Sequence, residues 1–295
     1  MVLDGVGTLV GGIRQGRAGC GSDPGADCVK LMAGTIQVGT SGWSYDAWVG
    51  PFYPQRTTKS DYLGCYAERF EIVEVDSTYY RTPSTRMTRS WAARTPDRFR
   101  FALKVPREIT HEKVLSDCER EMDEYLSALE PLGPKVKCVL LQFGYFNRRA
   151  FSSAGPFLER LDGFLARYAG QIPIAAEIRN ENWLGAAYFD LLRSHNVVAT
   201  LVEHAWLPPI DALIQRHDVV TGPFSYLRLI GDRKHIEEIT TTWEKVVVDR
   251  SSDLRRVAAA IRRLAETTDV VTFVNNHYAG HGPATVADLN AALAV

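Results

Sequence analysis

The sequence has little that would bind a metal or attract nucleic acid by charge alone. Its 295 residues carry a formal net charge of -1, so no overall positive field exists and nucleic-acid binding would need a local patch. Of the 7 histidines, none belongs to an H-x-H or H-E-x-x-H pattern, and the latter is a recognised zinc-binding spacing. These patterns assign no metal ligand, and they leave any cofactor and any protein partner unknown.

Cysteine is scarce, and long apolar segments are missing. The 5 cysteines are odd in number, and no two have C-x2-C spacing, so we expect reduced thiols in a cytoplasmic protein. The longest apolar runs have the length of a strand, which is too short to span a bilayer. The Gly-rich residues 1–33 contain no continuous apolar segment before a cleavage site, so we expect neither a signal peptide nor a membrane segment.

What the chain does have is eight short apolar runs separated by helix-like stretches. Eight strands that each lead into a helix predict a single (β/α)8 barrel, the TIM-barrel fold, which needs about 250 residues. Residues 1–34 lack this pattern, so we predict an irregular, disordered extension there and a barrel domain at 35–295. The predicted strands are Ile36–Gly39, Ile72–Asp76, Phe99–Lys104, Val136–Gln142, Ile174–Arg179, Val197–Glu203, Phe224–Arg228 and Val270–Asn276.

Charged residues at the strand ends are the candidates for catalysis, because the active site of this fold lies there. Glu74 and Glu177 are carboxylates that could act as acid or base, and Lys104 could bind an anion or react as an amine. Glu74 could equally anchor a neighbouring loop through backbone hydrogen bonds. For Asp76, which shares a strand face with Glu74, we favour a local turn.

Other residues near the strand ends are candidate ligand contacts. Arg179 and Arg228 have the planar fork that suits phosphate or carboxylate, but ion pairs remain an alternative: Arg179 with Glu177, or Arg228 with Glu177 or Glu203. The complete set of candidate ligand-binding residues is Trp43, Arg107, His111, Gln142, Arg179, Trp183, Arg228, Asn275 and Asn276.

The loops after the last two predicted strands offer another place for an anion. Gly280 and Gly282 come just before a predicted helix that begins at Pro283. Glycines at a helix N-terminus suit phosphate, and this fold often binds phosphate after strands seven and eight. The same glycines would also serve a simple entry into the helix.

Motifs at seven of the eight strand ends resemble one known family. Over about residues 35–294 the sequence is similar to the domain of unknown function 72, or YecE-like, family. The resemblance implies a single TIM barrel and no particular reaction. Asp76 and Tyr79 stand where the family often has Asn and Phe, and Leu201–His204 replaces a motif that often contains aspartate. The matching segments are Gly39–Trp43, Glu74–Tyr80, Phe101–Pro106 with Ile109–His111, Leu141–Phe143, Glu177–Arg179 with Trp183, Tyr226–Arg228 and Phe273–Asn276.

Three hypotheses for function follow from these residues. The first is an enzyme, a hydrolase or lyase, acting on a phosphorylated or otherwise anionic ligand: a nucleotide, a sugar phosphate or a nucleic-acid end. Cations would hold the anion, a carboxylate would act as general base, and aromatic rings would stack on the ligand. The second is a module that binds nucleic acid without chemistry. The third is a scaffold whose aromatic loop 43–53 docks a protein partner.

Overall fold

Eight parallel strands pair in sequence order and close into a barrel, as predicted. The computed structural model describes residues 34–295, and the predicted disordered extension lies almost entirely outside these residues. Closure comes from the pairing of the first strand with the last, from Ile36 opposite Val270 to Thr40 opposite Val274. The strands are β1 Ile36–Ser41, β2 Ile72–Val75, β3 Arg100–Lys104, β4 Val136–Gln142, β5 Ile174–Glu177, β6 Val198–His204, β7 Phe224–Gly231 and β8 Asp269–Val274.

Helices lie between the strands and cover the outside of the barrel. The helix Thr85–Ala93 has a side-chain cap, since the side chain of Ser84 accepts a hydrogen bond from the backbone N–H of Met87. Within residues 34–295, no helix is long and apolar enough to cross a bilayer. The helices are α1 Tyr62–Ala67, α2 Thr85–Ala93, α3 Glu119–Leu129, α4 Ala154–Tyr168, α5 Ala186–Ser194, α6 Ile210–Arg216, α7 Arg233–Ile239, α8 Ser251–Ala265, α9 Asn276–Ala279 and α10 Gly282–Leu293.

The apolar core has two layers, because successive side chains of a strand point to opposite faces. One layer lies between the strands and the helices. The other fills the inside of the barrel, where its members include Ile72, Ala102 and Tyr226. Two residues further along these strands, the same alternation places Glu74, Lys104 and Arg228 on the inner face, at the C-terminal mouth.

The aromatic loop 43–53 packs against the barrel instead of forming an exposed surface. Trp48 and Tyr53 are fully buried. The ring of Tyr53 stacks on Tyr62 of α1, with centroids 4.7 Å apart, and Trp48 packs edge-on against Phe52. Three of the five aromatic rings of this loop, those of Trp48, Phe52 and Tyr53, are therefore used within the fold, and docking of a protein partner by the loop stays a prediction.

Candidate active site at the barrel mouth

A buried arginine joins two glutamates at the mouth of the barrel. Arg228 on β7 donates from Nε and Nη2 to the two carboxylate oxygens of Glu74 on β2, at 2.7 and 2.8 Å. Its Nη1 donates to Oε2 of Glu177 on β5, at 2.5 Å. All three side chains are almost completely buried. Arg228 thus makes a two-pronged contact with one carboxylate and a bridge to the other.

Two further residues extend this network, one at each end. Tyr226, two residues before Arg228 and on the same face of β7, donates its hydroxyl hydrogen to Oε2 of Glu74 at 2.7 Å. At the other end, Oε1 of Glu177 accepts a hydrogen bond of 2.6 Å from Nε of Arg179. The terminal nitrogens of Arg179 have no hydrogen-bond partner among residues 34–295, and the residue lines an open cleft.

Both glutamates are ionised at neutral pH despite their burial. Burial by itself raises the pKa of Glu74, but the charges of Arg228 and Lys104 and the hydrogen bonds from Arg228 and Tyr226 outweigh it and hold the pKa at about 2. Burial likewise raises the pKa of Glu177, and Arg179 and Arg228 more than offset it, so this pKa also lies below its usual value. A carboxylate with so low a pKa is a weak general base.

Lys104 forms a separate ion pair beside the network. Its Nζ lies 2.6 Å from Oδ1 of Asp76, the first residue after β2, and the lysine side chain is 11% exposed. The favoured local turn is present, since the N–H of Tyr79 donates to the carbonyl of Asp76, but the side chain of Asp76 does not cap it and instead reaches Lys104 on the neighbouring strand. Counting this pair, the mouth balances three cations against three carboxylates, so it has no excess of positive charge at its centre.

A cleft of about 1140 Å³ lies beside the mouth, between the loops that follow β4, β5 and β6. Two aromatic side chains in its wall are largely exposed, Tyr145 by 72% and Trp206 by 78%. Among its acidic and strongly basic lining residues, three are cationic and one is anionic. These residues are Arg148, Arg179, Arg216 and Glu181. Because Glu177 already neutralises Arg179 at the mouth, the remaining excess in the cleft is one positive charge.

Two histidines flank the ion network. His204, at the end of β6, lines the cleft, and its Nδ1 accepts a hydrogen bond from the backbone N–H of Trp206. His111 lies in the loop after β3. Burial and nearby positive charges lower the pKa of both histidines, and the charge of Glu177 only partly compensates. Both imidazoles are therefore mainly neutral at pH 7.

Similarity to known proteins agrees with this architecture. Residues 37–295 match the family described as "Protein of unknown function DUF72". The chain belongs to the DUF72 family. The crystal structure of a DUF72 family protein from Thermotoga maritima is similar to this chain, with a TM-score of 0.70 and 26% sequence identity. The match covers 88% of this chain and 100% of that one.

Two bacterial proteins are similar to parts of this DUF72 protein. UPF0759 protein YecE of Escherichia coli is 31% identical over 129 residues, which are 43% of this chain and 45% of YecE. UPF0759 protein YunF of Bacillus subtilis is 29% identical over 163 residues, 52% of this chain and 54% of YunF. The chain thus spans about half the length of these relatives.

The mouth of this DUF72 protein brings together several residues that the sequence singled out. Four of them are joined by ion pairs, and a fifth pairs with Asp76 beside them. The four are Glu74, Glu177, Arg179 and Arg228, and the fifth is Lys104. Another candidate joins them through strand register, since the residue paired with Glu177 is Gln142. Among residues 34–295, no group of three or more His, Cys, Asp or Glu side chains is arranged to hold a metal ion.

Other candidate ligand residues already have structural partners. The ring of Trp183 lines the cleft but is 7% exposed, because it packs nearly parallel to the rings of Phe146 and Phe157, with centroids 6.0 and 5.4 Å away. Trp43 packs edge-on against Trp91. These two rings contribute to the core, so the exposed stacking surfaces of the cleft are instead Tyr145 and Trp206, which the sequence analysis did not select.

Asn275 caps α9, and the side chain of Asn276 satisfies the first N–H of α10. Oδ1 of Asn275 accepts a hydrogen bond from the N–H of His277, and Oδ1 of Asn276 accepts one from the N–H of Gly282. The next free N–H of α10, that of Ala284, donates to the side chain of His281. The protein's own side chains therefore occupy the helix N-terminus where the glycines suggested an anion. Arg107, at the edge of the mouth, pairs with a neighbour in its own loop, Glu112.

Tyr226 is the buried site residue that the sequence analysis missed. A signal was available, because Tyr226 and Arg228 are two residues apart on a predicted strand and must share a face. Nothing similar marks Tyr145 or Trp206. Their exposure depends on how the loops after β4 and β6 fold.

Proposed function

We propose that this protein is an enzyme acting on a small ligand that carries a phosphate or carboxylate beside a flat ring, such as a nucleotide, a sugar phosphate or a nucleic-acid end. The observation that carries the proposal is the orientation of Arg179. Glu177 accepts a hydrogen bond from its Nε, and Nη1 and Nη2 have no partner among residues 34–295, so both face the cleft unpaired within that part of the chain. That edge of a guanidinium matches two oxygens of a phosphate or carboxylate.

The buried network supports this role by fixing the arginine in advance. Glu177 is itself fixed by Arg228, and Arg228 by Glu74. A cation held in place before the ligand arrives loses little freedom on binding and stabilises developing charge without rearrangement. In this proposal Glu74 and Glu177 are positioning residues rather than bases, because their low pKa values suit ion pairing.

Lys104 and the histidines supply the remaining chemistry. An ammonium group has three donors, and Lys104 is held at the mouth by its ion pair with Asp76, so it can also donate to a bound anion. His204 and His111, neutral at pH 7, are the proton-transfer groups, since a base works best with a pKa near the operating pH. The ring of the ligand stacks on Trp206 or Tyr145, as bases and sugars do on exposed aromatic side chains.

The test is a calorimetric and thermal-shift screen of nucleotides, sugar phosphates and inorganic phosphate. A ligand at about 100 times its Kd adds roughly 2.7 kcal/mol of stability. Arg179→Met should weaken binding about ten- to a hundredfold, since a charge-assisted contact contributes about 1.5–3 kcal/mol. Arg216→Met, in the same cleft and exposed, is the control and should have a smaller effect. Equal affinity in the parent and the Arg179 variant would refute the proposal.

A second candidate is a module that binds single-stranded nucleic acid without chemistry. The observation in its favour is that three exposed aromatic residues, Tyr80, Tyr145 and Trp206, follow alternate strands around the rim. Arg81 and Arg148, close to two of them in sequence, make no ion pair with residues 34–295. Bases stack on such rings while arginines follow the backbone. Affinity that rises steadily with oligonucleotide length and falls steeply with salt, with no turnover of any phosphate ester, would favour this candidate over the enzyme.

A further inference from the structure

The loop between β3 and α3 has an unusual backbone. Residues Glu108–Glu112 form one turn of π-helix, in which the N–H of Lys113 donates to the carbonyl of Glu108 at 2.8 Å. Immediately afterwards Val114, Leu115 and Asp117 adopt positive φ angles of 46°, 64° and 47°. Of the five non-glycine residues with positive φ in the described chain, three lie here.

Such conformations persist only where the surroundings hold them. L-residues seldom adopt the left-handed region, and for a β-branched residue such as Val114 it is a true outlier. Four contacts hold the loop. The N–H of Leu115 donates to the carbonyl of Ile109 at 2.9 Å, and Leu115 itself is buried. Nζ of Lys113 bonds to the carbonyl of Asp117 and pairs with Glu121 on α3. The fourth contact comes from α4, where Nη1 of Arg160 donates to the carbonyl of Val114.

The side chain that this loop presents to the mouth is His111. Its Nδ1 lies 2.9 Å from Oγ1 of Thr110, and its ring packs edge-on against Tyr79 with centroids 5.2 Å apart. Nε2 has no hydrogen-bond partner among residues 34–295. A Cβ atom at position 144 would lie 3.4 Å from Nε2, so Gly144 leaves room beside it.

The charged groups around His111 keep it neutral. Burial lowers its pKa most, Arg107 and Lys104 lower it further, and the opposing effects of Glu177 and Glu112 are smaller. The phenol of Tyr79 is the remaining titratable group in contact with the ring. A neutral imidazole with an unoccupied Nε2 can accept a proton there or donate one.

We propose that Glu108–Asp117 is a strained support that holds Nε2 of His111 at the barrel mouth, where it exchanges a proton with the bound ligand. The proton exchange with the ligand rests on the proposed function. The imidazole takes a proton from a ligand hydroxyl or from water at Nε2 and becomes a cation, and it returns the same proton in a later step. Selection for this position accounts for the otherwise unfavourable backbone that follows the π-helical turn.

The loop variant Val114→Gly tests the support, with Val220→Gly as its matched control. Both valines lie outside helices and strands, are half-buried and pack against the core, but only Val114 has a positive φ. Glycine adopts a φ near +46° without strain, so Val114→Gly should lower the melting temperature less than Val220→Gly. The pKa of His111 is measured by NMR titration of histidine-labelled protein, with the resonance assigned by its loss in His111→Gln. It should move toward 6.5 in Val114→Gly and stay unchanged in Val220→Gly.

Separate outcomes test the strained support and the proton exchange. An unchanged His111 pKa in Val114→Gly, or a loss of stability as large as in the control, would overturn the strained support whether or not any ligand binds. Inorganic phosphate is the probe for the proton exchange. It should shift the His111 resonance in the parent and shift it at least several-fold less in Val114→Gly at equal concentration. Phosphate that binds through Arg179 but leaves the His111 resonance unmoved would refute the proton-exchange role, and phosphate that fails to bind the parent would count against the proposed function.

Discussion

Replacing Arg228 by Met should destabilise the protein strongly. Arg228 makes three hydrogen bonds to two carboxylates that are 0% exposed. Met keeps much of the apolar stem but leaves Glu74 and Glu177 buried without their shared cation. Removing one partner of a buried ion pair costs about 3–5 kcal/mol. At roughly 2–4 °C per kcal/mol for a domain of this size class, the melting temperature should fall by about 6–20 °C.

The pH dependence of this loss has a definite sign. In the parent the folded-state pKa of Glu74 is depressed, so its stabilising contribution is present above the unfolded value and is lost as pH falls toward about 2. Without Arg228, burial dominates and the folded-state pKa of Glu74 rises above the unfolded value. The variant then gains relative stability as Glu74 becomes protonated. The difference in free energy of unfolding between parent and variant should therefore become smaller as the pH is lowered from 7 to about 4.

Two controls make the result interpretable in urea and thermal denaturation. The triple variant Arg228→Met, Glu74→Gln, Glu177→Gln contains no buried unpaired charge and should recover part of the lost stability. Arg233→Met breaks an exposed pair with Glu237 and should cost no more than about 1 kcal/mol. An Arg228→Met variant within about 1 kcal/mol of the parent at pH 7 would contradict the reasoning.

Three further predictions follow from individual contacts and from the extension. Tyr226→Phe removes one hydrogen bond to Glu74 and should cost about 1.5–3 kcal/mol in urea unfolding, with the pKa of Glu74 rising in a carboxyl-carbon NMR titration; an unchanged pKa would contradict that contact. Glu203→Gln weakens the contact of Glu203 with Arg256 on α8 and should lower the melting temperature while phosphate affinity stays the same, since Glu203 is outside the mouth network. Deleting residues 1–33, which show no periodic apolar face in sequence, should change the free energy of unfolding by less than about 1 kcal/mol; a larger loss would mean that they pack on the barrel.

The sequence alone determined the architecture, for a local reason. Each strand is a short apolar run, each helix has its own apolar face, and both patterns are readable within a window of about ten residues. The same local alternation placed Glu74, Lys104 and Glu177 at strand ends, and the fold rule then placed those ends at one mouth. The strand pattern and the position of the candidate site were therefore predictable before any three-dimensional information.

Only the tertiary structure decided which side chains meet. Arg228 is 154 residues from Glu74 and 51 from Glu177, and barrel closure, not sequence spacing, makes them neighbours. The same holds for the aromatic loop, which one hypothesis assigned to a protein partner and whose Phe52 and Tyr53 rings pack on Tyr66 and Tyr62 of α1. It also holds for Asn276, whose amide oxygen accepts a hydrogen bond from the N–H of Gly282. Partner choice depends on the radius and register of the closed barrel, and these arise from all eight strands together.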